Sequence, residues 1–157
     1  MHTPSNKPNH GMQLPPPLFF LAALFFGYSL DRVIRWHLPN WAINSYLAVF
    51  FAALAVLIIT SALWVFRRHN TTVIPYRKAR TLLTSGPFRY SRNPLYLSFA
   101  LLHIACALAQ HSPGMLLTLP FAVWAIQHHV ITQEEQALAA LFGEQWQQYR
   151  RRVRRWL

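Results

Sequence analysis

The stretch "WAINSYLAVFFAALAVLIITSALWVF", residues 41–66, carries no charged side chain. A helix needs about 20 predominantly apolar residues to cross the hydrocarbon core of a bilayer, so this stretch predicts a transmembrane helix with some tilt. Further apolar segments lie at about 14–30, 94–109 and 115–131. The sequence therefore predicts an all-α, polytopic membrane protein with about four transmembrane helices.

These segments divide the 157 residues into the parts of a single membrane domain. We expect Asp31 and Arg32 to close the first segment, and the short connection "QHSPG" to join the last two as a helical hairpin. The predicted parts are a polar tail (1–13), two transmembrane helices (14–66), a basic loop (67–93), a helical hairpin (94–131) and a C-terminal segment (132–157).

The charge of the chain is strongly positive, at +11, although only 12% of its residues are charged and 54% are hydrophobic. A nucleic-acid-binding protein would place its arginines on a charged surface around a modest core, whereas long uncharged blocks dominate here. With four spans, all the lysines and arginines except Arg32 and Arg35 fall on the side of the two termini. The positive-inside rule then predicts that both termini face the cytoplasm, in the inner membrane.

The C-terminal stretch "EQWQQYRRRVRRWL", residues 144–157, combines aromatic and basic residues. A helix here would place Trp146, Tyr149, Val153 and Trp156 on one face, with arginines on the others. Such a basic amphipathic helix suits an anionic lipid surface, so membrane lipids are expected partners. Gly143 is expected to end the preceding helical stretch.

Two polar motifs stand out from the apolar background. The first, "TSGPFRYSRNPLYLS" (84–98), contains two arginines, two prolines and no acid, and the second contains Glu134 and Glu135, two of the four acids in the chain. A structural interpretation exists for each: Asn93 and Pro94 suit a helix start, and the glutamates suit a solvated or ion-paired helix end. The functional interpretation is that both motifs lie at one membrane face and hold a zwitterionic cofactor. The single cysteine, Cys106, belongs to no Cys/His metal-binding pattern, so no metal is expected.

The linked motifs "LLTSGPFRYSRNPLYLS" (82–98) and "EEQALAALFGEQWQQYRRRV" (134–153) resemble the isoprenylcysteine carboxyl methyltransferase family and its prokaryotic relatives. More loosely, they resemble membrane phospholipid methyltransferases. The resemblance covers roughly residues 70–156. It implies an integral membrane enzyme that methylates a lipophilic or membrane-embedded small molecule. The resemblance also implies that S-adenosylmethionine lies at the cytoplasmic face, enclosed by the loop before the hairpin and by the C-terminal segment (132–157).

The resemblance also assigns roles to individual residues. It places the adenosine portion of the cofactor beside Arg80, Thr81, Leu82, Leu83 and Phe88. It places the polar portion beside Asn93, Pro94, Leu95 and Tyr96. Glu134 would receive the cofactor amino group, and Arg92 and Glu135 are the catalytic candidates. His129 is the substrate-binding candidate, because it adjoins Val130, where eukaryotic members carry an arginine for the substrate carboxylate. Many members have histidine where Asn93 stands.

Two other functions fit the composition. One is an NADPH-dependent membrane reductase, and the other is a non-enzymatic protein that binds anionic lipids through its arginines. Binding of S-adenosylmethionine, of NADPH or of neither would separate the three functions.

Overall fold

The computed structural model describes residues 15–69 and 81–157, which are helical and contain no β-strand. The helices are α1 (Pro17–Ile34), α2 (Ala42–Arg68), α3 (Pro94–Ala109), α4 (Pro113–Ile126) and α5 (Thr132–Arg152). A π-helical turn, Gln127–Ile131, joins α4 to α5 without a break. The predicted all-α membrane fold is confirmed, because α1, α2 and the continuous α4–α5 helix are long and apolar enough to span a bilayer. Helix α3 is a shorter apolar helix.

The α3–α4 hairpin forms the middle of the bundle, with α2 packed on α3 and α1 packed on α4. At one end, which we call the turn end, the α1–α2 connection meets the α3–α4 turn: the Leu38 N–H donates to the His111 carbonyl over 2.8 Å. The opposite end, which we call the basic end, holds residues 81–93, the start of α3, the π turn and α5. Both sequence motifs therefore lie at the basic end.

Asp31 was expected to close the first helix, but α1 continues past it to Ile34 and ends at Arg35, which has a left-handed backbone (φ 59°). Asp31 is 4% exposed. It accepts hydrogen bonds from the Ser112 hydroxyl and, over 2.8 Å, from the Gly114 N–H. The first N–H groups of a helix have no partner within that helix, so Asp31 serves as an acceptor for α4. The expectation was wrong because the carboxylate is satisfied across the bundle rather than by solvent.

Two glycines allow α1 and α4 to approach closely. A Cβ atom on Gly114 would lie 2.4 Å from the Gly27 carbonyl oxygen, and one on Gly27 would lie 2.6 Å from Cα of Met115. Thr118 adds a hydrogen bond of 2.9 Å to the Ala23 carbonyl. Small residues at helix crossings give membrane helices the van der Waals contact that drives their association.

The helix face that was expected to lie on lipid, with Trp146, Tyr149 and Val153, packs on the protein. Gly143, which was expected to end a helical stretch, has a non-helical conformation (φ 50°, ψ −117°) that divides α5 into two helical parts. Trp146 and Tyr149 are 2% and 8% exposed and pack with Val153 against the partly buried Leu82 and Phe142. The apolar face of this helix is therefore covered by the protein itself, and the exposed arginines of its last turn give the segment its basic surface.

Candidate functional site

The two sequence motifs meet through one hydrogen bond between α3 and α5. Tyr96, in the first turn of α3, donates its hydroxyl to Oε1 of Glu134, in the first turn of α5, over 2.7 Å. Tyr96 is 8% exposed and belongs to an apolar cluster with Ile126 and Ile131. The acidic motif and the Arg-Asn-Pro motif are therefore neighbours at the basic end.

Glu135 forms an ion-paired cluster beside this contact. Its Oε1 lies 3.1 Å from Nη1 of Arg92, and Arg155 donates to Oε1 over 3.1 Å and to Oε2 over 2.6 Å. The side chains of Arg92 and Glu135 are 9% and 12% exposed. The bidentate Arg155–carboxylate geometry is among the stronger hydrogen-bonded pairs in proteins. The cluster connects the residues before α3, the start of α5 and the C-terminus.

The electrostatics of the two arginines differ. Burial lowers the pKa of Arg92, an effect that Glu135 opposes and that the neighbouring Arg155 reinforces. Hydrogen bonding to Glu135 raises the pKa of Arg155. Arginine side chains stay protonated in proteins, so both guanidinium groups are cations facing one carboxylate.

The Arg92 guanidinium carries buried nitrogen atoms that donate no hydrogen bond within the described part of the chain. Among the described residues its Nε and Nη1 atoms are buried and make no hydrogen bond, although Nη1 lies close enough to Glu135 for an ion pair. The guanidinium carbon lies 5.6 Å from the ring centroid of Trp146. A buried donor without an acceptor costs about 1–3 kcal/mol, and a bound anionic group such as a carboxylate would remove that cost.

Asn93 occupies the N-cap position of α3, but its side chain does not cap the helix. Instead its Nδ2 donates to the Arg155 carbonyl over 2.9 Å, and its backbone N–H donates to Oγ of Ser91 over 3.1 Å. Pro94 is buried in the first turn of α3. The expected capping role is therefore replaced by a contact with the C-terminus.

The residues assigned to the adenosine portion occupy several environments. Leu83 and Phe88 are buried in a cluster with Ala62 and Val65 of α2, and Leu95 packs on that cluster. Leu82 packs on the Trp146 cluster, whereas Thr81 is exposed. Arg80 lies outside the described residues. Packing within the chain already accounts for Leu83 and Phe88, and an adenosine contact remains a prediction for the whole set.

His129 lies in the π turn, beside Phe19 of α1. Its ring is exposed, stacks on Phe19 with centroids 6.3 Å apart, and meets the edge of Trp124 at 6.3 Å. The Thr132 hydroxyl holds the turn by donating to the Gln127 carbonyl over 2.7 Å. π-helical turns occur frequently at functional sites, and the substrate-binding role of His129 remains a prediction.

The resemblance implied that the C-terminal segment helps to enclose the cofactor, but sequence reasoning missed the contacts that Arg155 and Trp156 make. Arg155 binds Glu135, and Trp156 donates its indole N–H to Oε1 of Gln127 over 3.0 Å. The signal was present in "RRVRRWL", where a tryptophan follows an arginine pair. From the sequence, contact with lipid explained this pattern as well as contact with the protein did. The fold places Arg155 and Trp156 beside the two motifs.

The fold and these clusters define an α-helical membrane protein with a buried polar site at one end of its bundle. The family model for phospholipid methyltransferases matches residues 43–145, which is more than half of the chain. The protein belongs to this family of membrane methyltransferases, which also includes the isoprenylcysteine carboxyl methyltransferases, so the resemblance is confirmed. No curated protein and no solved structure matches the chain. Membership favours methyl transfer over the reductase and the non-enzymatic alternatives.

Proposed function

We propose that the protein transfers a methyl group from S-adenosylmethionine to a lipophilic or membrane-embedded small molecule at the cytoplasmic membrane face. The observation that carries this proposal is the 2.7 Å hydrogen bond between Tyr96 and Glu134. It brings the carboxylate of one motif to the aromatic residue of the other. Family membership supports the reaction class, and the site geometry supports the cofactor.

The polar groups at the site fit the amino-acid portion of S-adenosylmethionine, which carries an ammonium and a carboxylate. Tyr96 engages Oε1 of Glu134, and the other carboxylate oxygen would receive the ammonium. The buried Nε donor of Arg92, which has no hydrogen-bond partner among the described residues, would receive the carboxylate. Glu135, which lies between Arg92 and Arg155, would hold Arg92 in place without touching the cofactor. Glu134 and Arg92 would therefore complement the ammonium and the carboxylate of the cofactor, respectively.

The contribution of the protein to catalysis would be alignment. When bound, S-adenosylmethionine supplies a methyl group that its sulfonium activates and that passes to an acceptor lone pair as the carbon–sulfur bond breaks. Glu134 and Arg92 would fix the donor end, and the buried cluster of Tyr96, Ile126 and Ile131 would exclude water. Positioning of this kind contributes about 7–11 kcal/mol to a reaction between two bound groups. We assign no general base.

The acceptor would reach the site from the bilayer along the exposed apolar surface of α1 and α4. Phe25, Phe121 and Trp124 on these helices are exposed, at 74%, 72% and 58%, as expected for lipid-facing side chains. The π turn places His129 beside Phe19, where this surface meets the basic end. His129 would therefore meet the polar end of a lipophilic acceptor.

The distribution of arginines supports a cytoplasmic site. Arg32 and Arg35 are the described arginines at the turn end. The described arginines at the basic end are Arg67, Arg68, Arg89, Arg92, Arg150, Arg151, Arg152, Arg154 and Arg155. Cytoplasmic segments of membrane proteins carry such an excess, so the basic end would face the cytoplasm.

Two measurements on the purified protein test this function. Calorimetry with S-adenosylmethionine and with NADPH should show binding of the first and none of the second. Incubation with methyl-labelled S-adenosylmethionine and a membrane lipid extract should place the label in a lipid-soluble product and release S-adenosylhomocysteine. Binding of NADPH alone, or of neither compound, would contradict the proposal.

A further inference from the structure

The last residues of the chain run back across the start of α3. Val153 has an extended backbone (φ −119°, ψ 131°), which ends α5 and turns the chain toward residues 91–93. The Arg92 N–H donates to the Arg154 carbonyl over 3.0 Å, and Ser91 and Arg154 form an isolated parallel bridge. We call residues 153–156 the C-terminal strap.

Arg155 is the residue through which the strap contacts both motifs. Its carbonyl accepts the 2.9 Å bond from Nδ2 of Asn93, just before α3. Its guanidinium holds both oxygens of Glu135, in the first turn of α5, at 3.1 and 2.6 Å. A single residue thus ties together the two segments that carry the proposed cofactor groups.

Trp156 fixes the other end of the strap. Its indole N–H donates to Oε1 of Gln127 in the π turn over 3.0 Å, and its ring packs on the apolar cluster that contains Tyr96 and Ile131. The arginines that precede Arg155, at positions 151, 152 and 154, are exposed. Arg155 is half-buried within this basic run because it has a defined partner.

We propose that the C-terminal strap positions the cofactor site and that Arg155 is its main positioning residue. This role rests on the proposed function, because it concerns the same cofactor. The strap lies beyond residue 145, where the match to the family ends. Without Arg155, Glu135 would keep Arg92 as its remaining cationic partner, and Arg92 would turn toward it. The donor that faces the cofactor carboxylate would then move, although the membrane helices would keep their packing.

The test compares the affinity for S-adenosylmethionine and the melting temperature of four proteins in the same detergent: the wild type, Arg155→Ala, Arg155→Lys and Arg151→Ala. Arg151→Ala is the matched control, since it removes the same charge from an exposed site four residues away. We expect Arg155→Ala to weaken binding by about tenfold or more, as loss of a partner does for buried charge pairs. We expect Arg155→Lys to recover part of the affinity. Arg151→Ala should bind as the wild type does, and the melting temperatures should stay close together.

A further variant, Trp156→Phe, removes the indole N–H while keeping an aromatic, though smaller, ring on the apolar cluster, and it should weaken binding several-fold. If Arg155→Ala does not fold, Arg155→Lys and Trp156→Phe decide the question, and wild-type affinity in both would overturn the role. Equal affinities of Arg155→Ala and Arg151→Ala for S-adenosylmethionine would also overturn the positioning role. So would losses of affinity that run parallel to losses of melting temperature in both Arg155 variants. A wild-type protein that binds no S-adenosylmethionine overturns the proposed function, and this role with it. If the wild type binds S-adenosylmethionine and Arg155→Ala binds it with the same affinity, the positioning role of the strap is overturned but the proposed function is not.

Discussion

Tyr96 and Glu134 stand 38 positions apart in the chain and share the hydrogen bond on which the proposed site depends. Both residues were identifiable from their motifs. The partner of Asn93 was not, because the Arg155 carbonyl that its side chain binds lies 62 positions away. The local sequence pattern indicates that a helix starts at Asn93. Only the fold shows that the Asn93 side-chain amide binds the distant Arg155 carbonyl instead of capping that helix.

Arg92 offers a test at the scale of one side chain. Arg92→Lys keeps the charge but loses the planar fork and the Nε donor. We expect the affinity for S-adenosylmethionine to fall by about tenfold, since a hydrogen bond to a charged group contributes roughly 1.5–3 kcal/mol. Calorimetry measures the change. Arg89→Lys is the control, because Arg89 is exposed three residues earlier, and equal affinities of the two variants would remove Arg92 from the site.

Among the elements, α3 was predicted with the bounds it has, Pro94–Ala109. Its proline start and the polar turn that follows it are local signals. The π turn was not predicted, whereas Gly143 was expected to end a helical stretch and does interrupt the helical backbone of α5. The π turn is held by a Thr132–Gln127 hydrogen bond, and Gly143 allows a backbone that few other residues adopt (φ 50°). Apolar periodicity does not distinguish a single π-helical turn from the α-helix that contains it.

The α1–α4 crossing gives a prediction about stability. Gly114→Ala would place a Cβ 2.4 Å from the Gly27 carbonyl oxygen and 2.7 Å from Oδ1 of Asp31. These are backbone and hydrogen-bonded atoms that cannot easily move, so we expect a loss of about 1–3 kcal/mol in the free energy of unfolding. The melting temperature in detergent measures it, with the exposed Leu117→Ala on α4 as control. A melting temperature equal to that of the control would contradict this close packing.

At the scale of the whole molecule, the bundle separates a basic end with the site from a turn end with Arg32 and Arg35. Alternation of apolar and polar segments was enough to predict this plan. The packing of α1 on α4 and α2 on α3 was not predictable, because every apolar helix offers several faces to its neighbours.

The orientation of the bundle can be tested with introduced cysteines. In a Cys106→Ala background, His37→Cys marks the turn end and Arg151→Cys marks the basic end; both positions are exposed. A membrane-impermeant thiol reagent on intact cells should label the cysteine at position 37, and should reach the one at 151 only after permeabilisation. The reverse pattern would place the site on the outer face.

The most direct measurement of the site is the affinity of Glu134→Gln for S-adenosylmethionine, determined by calorimetry beside Glu144→Gln. Glu144 is exposed in α5, so the control neutralises an equivalent charge on the same helix. Loss of one partner from a desolvated charge pair costs about 2–5 kcal/mol, which corresponds to roughly thirtyfold or more in affinity. We expect that loss in Glu134→Gln and wild-type binding in Glu144→Gln. Equal affinities in the two variants would contradict a cofactor held between the Arg-Asn-Pro motif and the first turn of α5.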